Sequence, residues 1–341
     1  MEFGYVLEPS PRYTAPLAAR IEALGFDLML CPDTQNLCAD PYSQLSLAGA
    51  ATQRLRLGTG VTNPITRDAA VTASAVATLQ METGGRAICG LGRGDSSLAH
   101  IGRGPATTEE LREYAERVRT YLSGGVVRAR GTDSRLRWVD PAKIPPAPVD
   151  IACTGPKTIE AAADVADRVS FAVGSAPERI GWALDVLRAR LAATGRHPDR
   201  LRIGAYVIVV CDRDERRAVR LARMMSGLIA HFTAMKHAPV EHLPPQLKPL
   251  ALQLRSAYDM ARHNLTSGAH LPLVDDDFVR WFSVCGPPAL CIDRLGELIA
   301  MGLDHLYVLN GSPVDEPHGL KWESAVNELE LFASQVMPAL R

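Results

Sequence analysis

The reading of RLRLGTGVTNP, residues 54–64, and GGRAICGLGRGDS, residues 84–96, decides the fold. Together with the helical run between them they read as strand, loop, helix, strand, loop. Leu55, Leu57 and Val61 form one apolar strand-like run, and Ala87, Ile88, Cys89 and Leu91 form the next. The first run breaks into Gly, Thr, Asn and Pro, the second into Gly, Arg and Asp. In α/β proteins ligands bind outside the carboxyl ends of parallel strands. Glycine-rich polar loops at two neighbouring strand ends therefore mark a candidate site. The plain alternative is a pair of tight βα turns.

The same alternation continues outward on both sides. Strand-like runs fall at Glu2–Leu7, Asp27–Cys31, Leu55–Thr62, Ala87–Leu91, Val149–Cys153, Arg168–Val173, Leu201–Cys211 and Asp304–Leu309. Helical stretches separate them, and their ends carry chemical punctuation. Gly25 follows the helix Tyr13–Leu24 as a C′ glycine would, and Asp40-Pro41 opens the next helix with proline in its first turn. Thr107 and Glu110 have the spacing of a capping box ahead of Thr108–Leu122. Residues 124–148, rich in Gly, Pro and Arg, interrupt the rhythm as an excursion or short hairpin. Eight strands alternating with helices imply a closed (β/α)8 TIM barrel rather than an open sheet, with all of residues 1–341 in one domain. Residues from about 224 to 285 are more than a connection between strands seven and eight requires. Their helical periodicity, broken by Pro and Gly, predicts a helical insertion: a lid or substrate wall over the barrel mouth, or a dimerisation arm.

Composition narrows the function classes. The chain has 341 residues, 47% hydrophobic and 22% charged, with a net charge of −1. That is enough apolar material for a large core, and no basic face suited to nucleic acid is visible. The seven cysteines form no C-x-x-C pair; Cys31, Cys89, Cys153 and Cys211 fall in or at the ends of strands, as small core residues do. No H-E-x-x-H or close histidine pair occurs, so no metal site is expected, and the nine histidines are read mostly as solvated or lid residues. No apolar run reaches roughly 18 residues, and no export signal precedes the first strand. The expectation is a cytoplasmic protein acting on a small molecule, with neither nucleic acid nor membrane as partner.

Three sets of side chains carry candidate chemistry. TGPKT, residues 154–158, places Thr154, Gly155 and Pro156 at a strand end and Lys157 and Thr158 on a helix N-terminus. This arrangement suits a phosphate, although many ordinary helices begin this way. Arg93 can clamp a phosphate or an acidic substrate, or pair with Asp95 or Asp33. Asp95 can act as a general acid beside a cofactor, or can simply cap a helix. Within the insertion Tyr258, Arg262 and His263 stand at helical spacings that could line a substrate pocket or form a polar helix face.

At GTGVTNPITR, GGRAICGLGRGDS and TGPKT the chain resembles the luciferase-like flavin- and deazaflavin-dependent oxidoreductases, on the methylenetetrahydromethanopterin reductase-like branch. Looser likeness extends to GFDLMLCPDTQ, residues 25–35, and to the block from Cys285 to Leu309. The resemblance implies a barrel that binds coenzyme F420, or alternatively FMN, at the strand carboxyl ends. It places Asp33 near the tricyclic ring and Gly60–Val61 as a bulge behind it, with Thr62 and Asn63 following. It also implies a cis peptide between Gly60 and Val61, at a glycine that can bulge because it lacks a Cβ. Gly92, Arg93, Gly94 and Asp95 match the fourth-strand loop, where a carboxylate serves as proton donor, and Thr154 to Thr158 match the phosphate turn. Two departures matter. Thr34 replaces the histidine of the family's glucose-6-phosphate dehydrogenases, and Tyr5 and Val6 follow Phe3-Gly4 where methanopterin reductases carry glutamate, which argues against either of those substrates. The resemblance thus implies an F420-dependent oxidoreductase, and a homodimer is expected. An FMN-dependent monooxygenase and a barrel without chemistry, serving binding or assembly, are the alternatives.

Overall fold

The structure is a computed structural model, and the described residues are 1–129, 131–233, 243–245, 247–258, 260, 271–310 and 320–341. Eight parallel strands close on one another in the order of the chain. They are β1 (Glu2–Val6), β2 (Leu28–Cys31), β3 (Arg56–Thr59), β4 (Ala87–Leu91), β5 (Val149–Cys153), β6 (Arg168–Phe171), β7 (Arg202–Cys211) and β8 (His305–Leu309). β8 lies between β7 and β1, and β6 pairs with β7, so the sheet has no free edge in its barrel portion. Closure follows from burial: β2, β4, β6 and β8 are buried at every position and must be covered on both faces.

The helices obey the punctuation read from sequence: α1 (Thr14–Ala23) has Leu24 as its C-cap and is followed by Gly25 at φ +88°. Asp40 accepts from the Ser43 amide at the head of α2 (Pro41–Ala51), and Asp68 caps α3 (Ala69–Glu82) in the same way. Thr107 and Glu110 form both halves of the capping box at the head of the helix Thr108–Leu122. The excursion contains a small antiparallel hairpin, Val127–Ala129 with Thr132–Ser134.

Three features depart from expectation. The third strand stops at Thr59 instead of reaching Thr62: the Gly60–Val61 peptide is cis, as expected, and Thr62 pairs only through an isolated bridge to Leu91. The helix after β7 runs unbroken over Glu215–Thr233, so position 224 lies within a regular helix rather than at the start of an insertion. Beyond it come the helices Leu247–Ala257 and Asp276–Phe282. Val284–Gly286 is then a further strand that pairs in parallel with the upper half of β7, at Val209 to Cys211. Its three residues fall below the length at which alternation separates strand from loop.

The two barrel ends differ in chemistry. At the amino end Glu2 receives Arg56 at 2.9 Å and Arg168 at 2.8 Å. Tyr307 donates to Asp150 at 2.5 Å and accepts from Arg168, while Ser170 also donates to Asp150. With the Ser170 proton so used, Nε2–H of the fully buried His305 donates to Ser170 Oγ at 2.8 Å. The carboxyl end opens into a cleft.

Candidate active site

The cleft, 280 Å³ in volume, sits at the carboxyl ends of the strands. Its floor is backbone. Gly60 and Val61 lie on one side, Gly92 and Gly94 on the other. A Cβ on Gly92 would come within 2.6 Å of Val61 Cγ2, and one on Gly94, at φ +82°, within 2.6 Å of Leu98 Cδ1. A side chain at either position would fill or distort the floor, so glycine keeps it open for a flat group.

Asp33 follows β2 and is buried at the edge of this floor. Its carboxylate accepts from Thr62 Oγ1 at 2.6 Å and from Arg67 Nε at 2.8 Å; Arg67 also reaches the capping Asp40 at 2.6 Å and lies over the Tyr42 ring. Thr62 and Asn63 do not line the cleft. Thr62 holds Asp33, and Asn63 accepts from the amides of Ile65 and Thr66 and donates to Ser97, so both shape the loops beneath.

Arg93 pairs with neither Asp95 nor Asp33. Its Nε donates to the Ala106 carbonyl, and partial burial pulls its pKa down. The partner of Asp33 is Arg67, a residue that the motif reading passed over. Asp95 stands at the N-cap position of the short helix Ser96–Ala99 yet makes no capping bond with its side chain. Its Oδ2 is buried without a hydrogen bond and lies 3.5 Å from Nε2 of His231. The Tyr258 ring stacks on His231, with centroids 3.7 Å apart and planes at 13°, and burial followed by the Asp95 charge pushes the Tyr258 phenol up. Arg262 and His263 lie outside the described residues.

Thr154 and Thr158 face the cleft, whereas Gly155, Pro156 and Lys157 lie at its rim with the Lys157 side chain exposed. Gly155 is the N-cap of the helix Pro156–Val165 and no side chain caps it. Among the described residues, the amides of Gly155 and Lys157 have no hydrogen-bond partner. That leaves two donors on a positive helix end beside a cation.

The roof was missed as a group. Met224, Met225, Leu228, Ile229 and Phe232 project from one face of the helix Glu215–Thr233 into the cleft. His231, within the stretch read as a lid and among histidines read mostly as solvated or lid residues, is 9% exposed. Its spacing of i+3 from Leu228 and i+7 from Met224 was the available signal. Cys38 also lines the cleft, but burial pushes its thiol up to about 12, so it is no thiolate nucleophile. Among the described residues no His, Cys, Asp and Glu cluster could hold a metal, and no helix is long and apolar enough to cross a membrane.

A profile of the luciferase-like monooxygenases matches residues 2–305. The chain belongs to that family. A 5,10-methylenetetrahydromethanopterin reductase of Methanolobus tindarius is 30% identical over 321 residues, covering 92% of this chain and 95% of the relative. An F420-dependent glucose-6-phosphate dehydrogenase of Nakamurella multipartita is 31% identical over 363 residues, covering 100% of this chain and 97% of its own. Among solved structures, the coenzyme F420-dependent tetrahydromethanopterin reductase of Methanopyrus kandleri superposes with a TM-score of 0.78 at 24% identity, over 100% of this chain and 99% of that one. That likeness supports the closed barrel.

Proposed function

We propose that the protein is an F420-dependent oxidoreductase that moves a hydride between the deazaflavin and a small, largely apolar organic substrate. The observation that carries this reading is the glycine floor at Gly60, Gly92 and Gly94, beside a buried carboxylate oxygen of Asp95 that nothing in the described protein satisfies. These residues fit the group: a flat ring needs open backbone, and a proton donor beside it needs a carboxyl that is not already committed. When bound, F420 supplies or accepts the hydride.

The chain's own residues do the rest. The Gly60–Val61 peptide backs the ring, and Asp33, held by Thr62 and Arg67, fixes its edge. The amides of Gly155 and Lys157, the Lys157 ammonium and the Thr158 hydroxyl bind the phosphate. Asp95 Oδ2 gives or takes the proton at the substrate atom. The apolar face of the helix Glu215–Thr233 covers the substrate and excludes water. Arg93 is the cleft's cation in the described lining, against the carboxylates of Glu8, Asp33 and Asp95, a balance that favours an uncharged substrate over a polyanion.

Seven free thiols suit a reducing cytoplasm. The run from Ala69 to Met81 carries no charge, nor does α2, and Leu47, Val71 and Met81 are exposed there, which supports a homodimer through α2 and α3. Light scattering of Val71→Glu against wild type tests the dimer. For the function, purified protein is titrated separately with F420 and with FMN, and the bound deazaflavin absorbance is followed as candidate substrates are added. Saturable F420 binding with substrate-dependent bleaching or recovery is expected; binding of FMN but not F420 would overturn the reading in favour of oxygen chemistry.

A further inference from the structure

We propose that His231 is a positioning residue for Asp95, holding that carboxyl toward the cleft and returning its proton after each turnover. The inference rests on reading Asp95 as the proton-handling group. Three independent observations carry it. Nε2 of His231 is 3.5 Å from Asp95 Oδ2, inside ion-pair reach and at the outer edge of a hydrogen bond. Catalytic hydrogen bonds are often long before a substrate binds and tighten afterwards. Both ring nitrogens of His231, and Oδ2 of Asp95, are buried with no hydrogen bond among the described residues. Finally, the Tyr258 ring lies flat on the imidazole at 3.7 Å, which fixes its plane.

A histidine that serves only packing looks different, and this protein contains one. His305, fully buried in the barrel floor, uses Nε2 on Ser170 within a hydrogen-bonded network and leaves Nδ1 alone unpartnered, whereas His231 leaves both ring nitrogens so. Leaving two ring nitrogens and a carboxylate oxygen unsatisfied side by side costs stability that packing alone does not explain. Neither Asp95 nor His231 has a second ion-pair partner among the described residues. The step balances without any further reagent. The Asp95 O–H bond breaks as its proton passes to the substrate. A proton on Nε2 of the imidazolium then moves to the carboxylate, leaving neutral imidazole that water reprotonates. In the reverse direction the same atoms exchange in the opposite order. No electrons pass through the pair.

The test uses full-length protein reconstituted with F420. His231→Ala is expected to lower kcat about 10- to 100-fold, with substrate KM and F420 Kd changed by less than about twofold. Added imidazole should recover much of the loss, and His231→Ala in an Asp95→Asn background should lower kcat little further. A readout independent of F420 is the ring ¹⁵N resonances of His231 in the purified protein, which should shift on Asp95→Asn while those of surface His197 stay in place. Additive losses, or His231 resonances unmoved by Asp95→Asn, would overturn the proposal. Failure of the wild type to bind F420 would instead sink the proposed function, and the resonance measurement, which needs no His231 variant, would then decide the pairing alone.

Discussion

The two ends of the barrel hold buried charge in opposite ways. At the amino end Glu2, Arg56, Arg168, Asp150, Tyr307, Ser170 and His305 satisfy one another, and Nδ1 of His305 is the one side-chain atom of that group left buried without a partner. At the carboxyl end Asp33 is satisfied through Thr62 and Arg67, but Asp95 and His231 are not. The closed network plugs the barrel and specifies its register. The open pair leaves valences that only another molecule or a moving proton can use. Between these two groups it is completion, rather than polarity itself, that differs; single buried atoms without a partner also occur away from the cleft, at Gln44 and Arg179.

The largest test of this contrast is Asp95→Asn. It should lower kcat about 10²- to 10⁴-fold, the usual worth of general acid–base catalysis, while the melting temperature holds or rises. A kcat within a few-fold of wild type would return Asp95 to the scaffold. Asp150→Ala should behave in the opposite sense, because it strands Arg168, Tyr307 and Ser170 around a missing acceptor. A loss of about 3–5 kcal/mol in urea unfolding is expected, and a loss below about 1 kcal/mol would show that the plug is dispensable.

The third test is acid stability. Burial, with the Arg168, Arg202 and Arg56 charges, holds His305 well below its ordinary value of 6.5. The unfolded chain takes up a proton near that value and the folded one does not. Protonation therefore favours unfolding, and stability falls as pH drops below about 6.5, by up to about 1.4 kcal/mol per pH unit from this one group. His305→Asn should flatten the curve between pH 6.5 and 5; an unchanged slope would assign the loss to other groups. The smallest effect belongs to the exposed rim. Lys157→Ala should weaken F420 binding by roughly 1 kcal/mol, as suits a solvent-exposed contact, and an unaltered Kd would move the phosphate elsewhere.

Much of the scaffold was legible because it is local. The limits of β4, β5 and Thr108–Leu122 follow from apolar runs closed by Gly, Pro or a capping box, and these signals act within a few residues. The candidate site was legible where it is made of backbone, in the glycines at 60, 92 and 94 that end strand-like runs and line the cleft. It was illegible where side chains meet across the barrel. Nothing near Asp33 in the chain announces Arg67, and nothing near Asp95 announces His231, which is 136 positions away (231 − 95). Thr62 and Asn63 show the converse: they sit in the right loop but point beneath it.

Five of the apolar residues that line the cleft, Met224, Met225, Leu228, Ile229 and Phe232, belong to one helix, while its glycines and Asp95 belong to the βα loops. Changes at Met224, Met225, Leu228, Ile229 or Phe232 can therefore remodel what is admitted, provided that His231, on the same helix, keeps its place against Asp95. Methionine is the most forgiving of these side chains, because its unbranched thioether refits to new shapes. For evolution or for an engineer, this divides the enzyme into a fixed engine and an exchangeable mould, with five positions of a single helix as the handle.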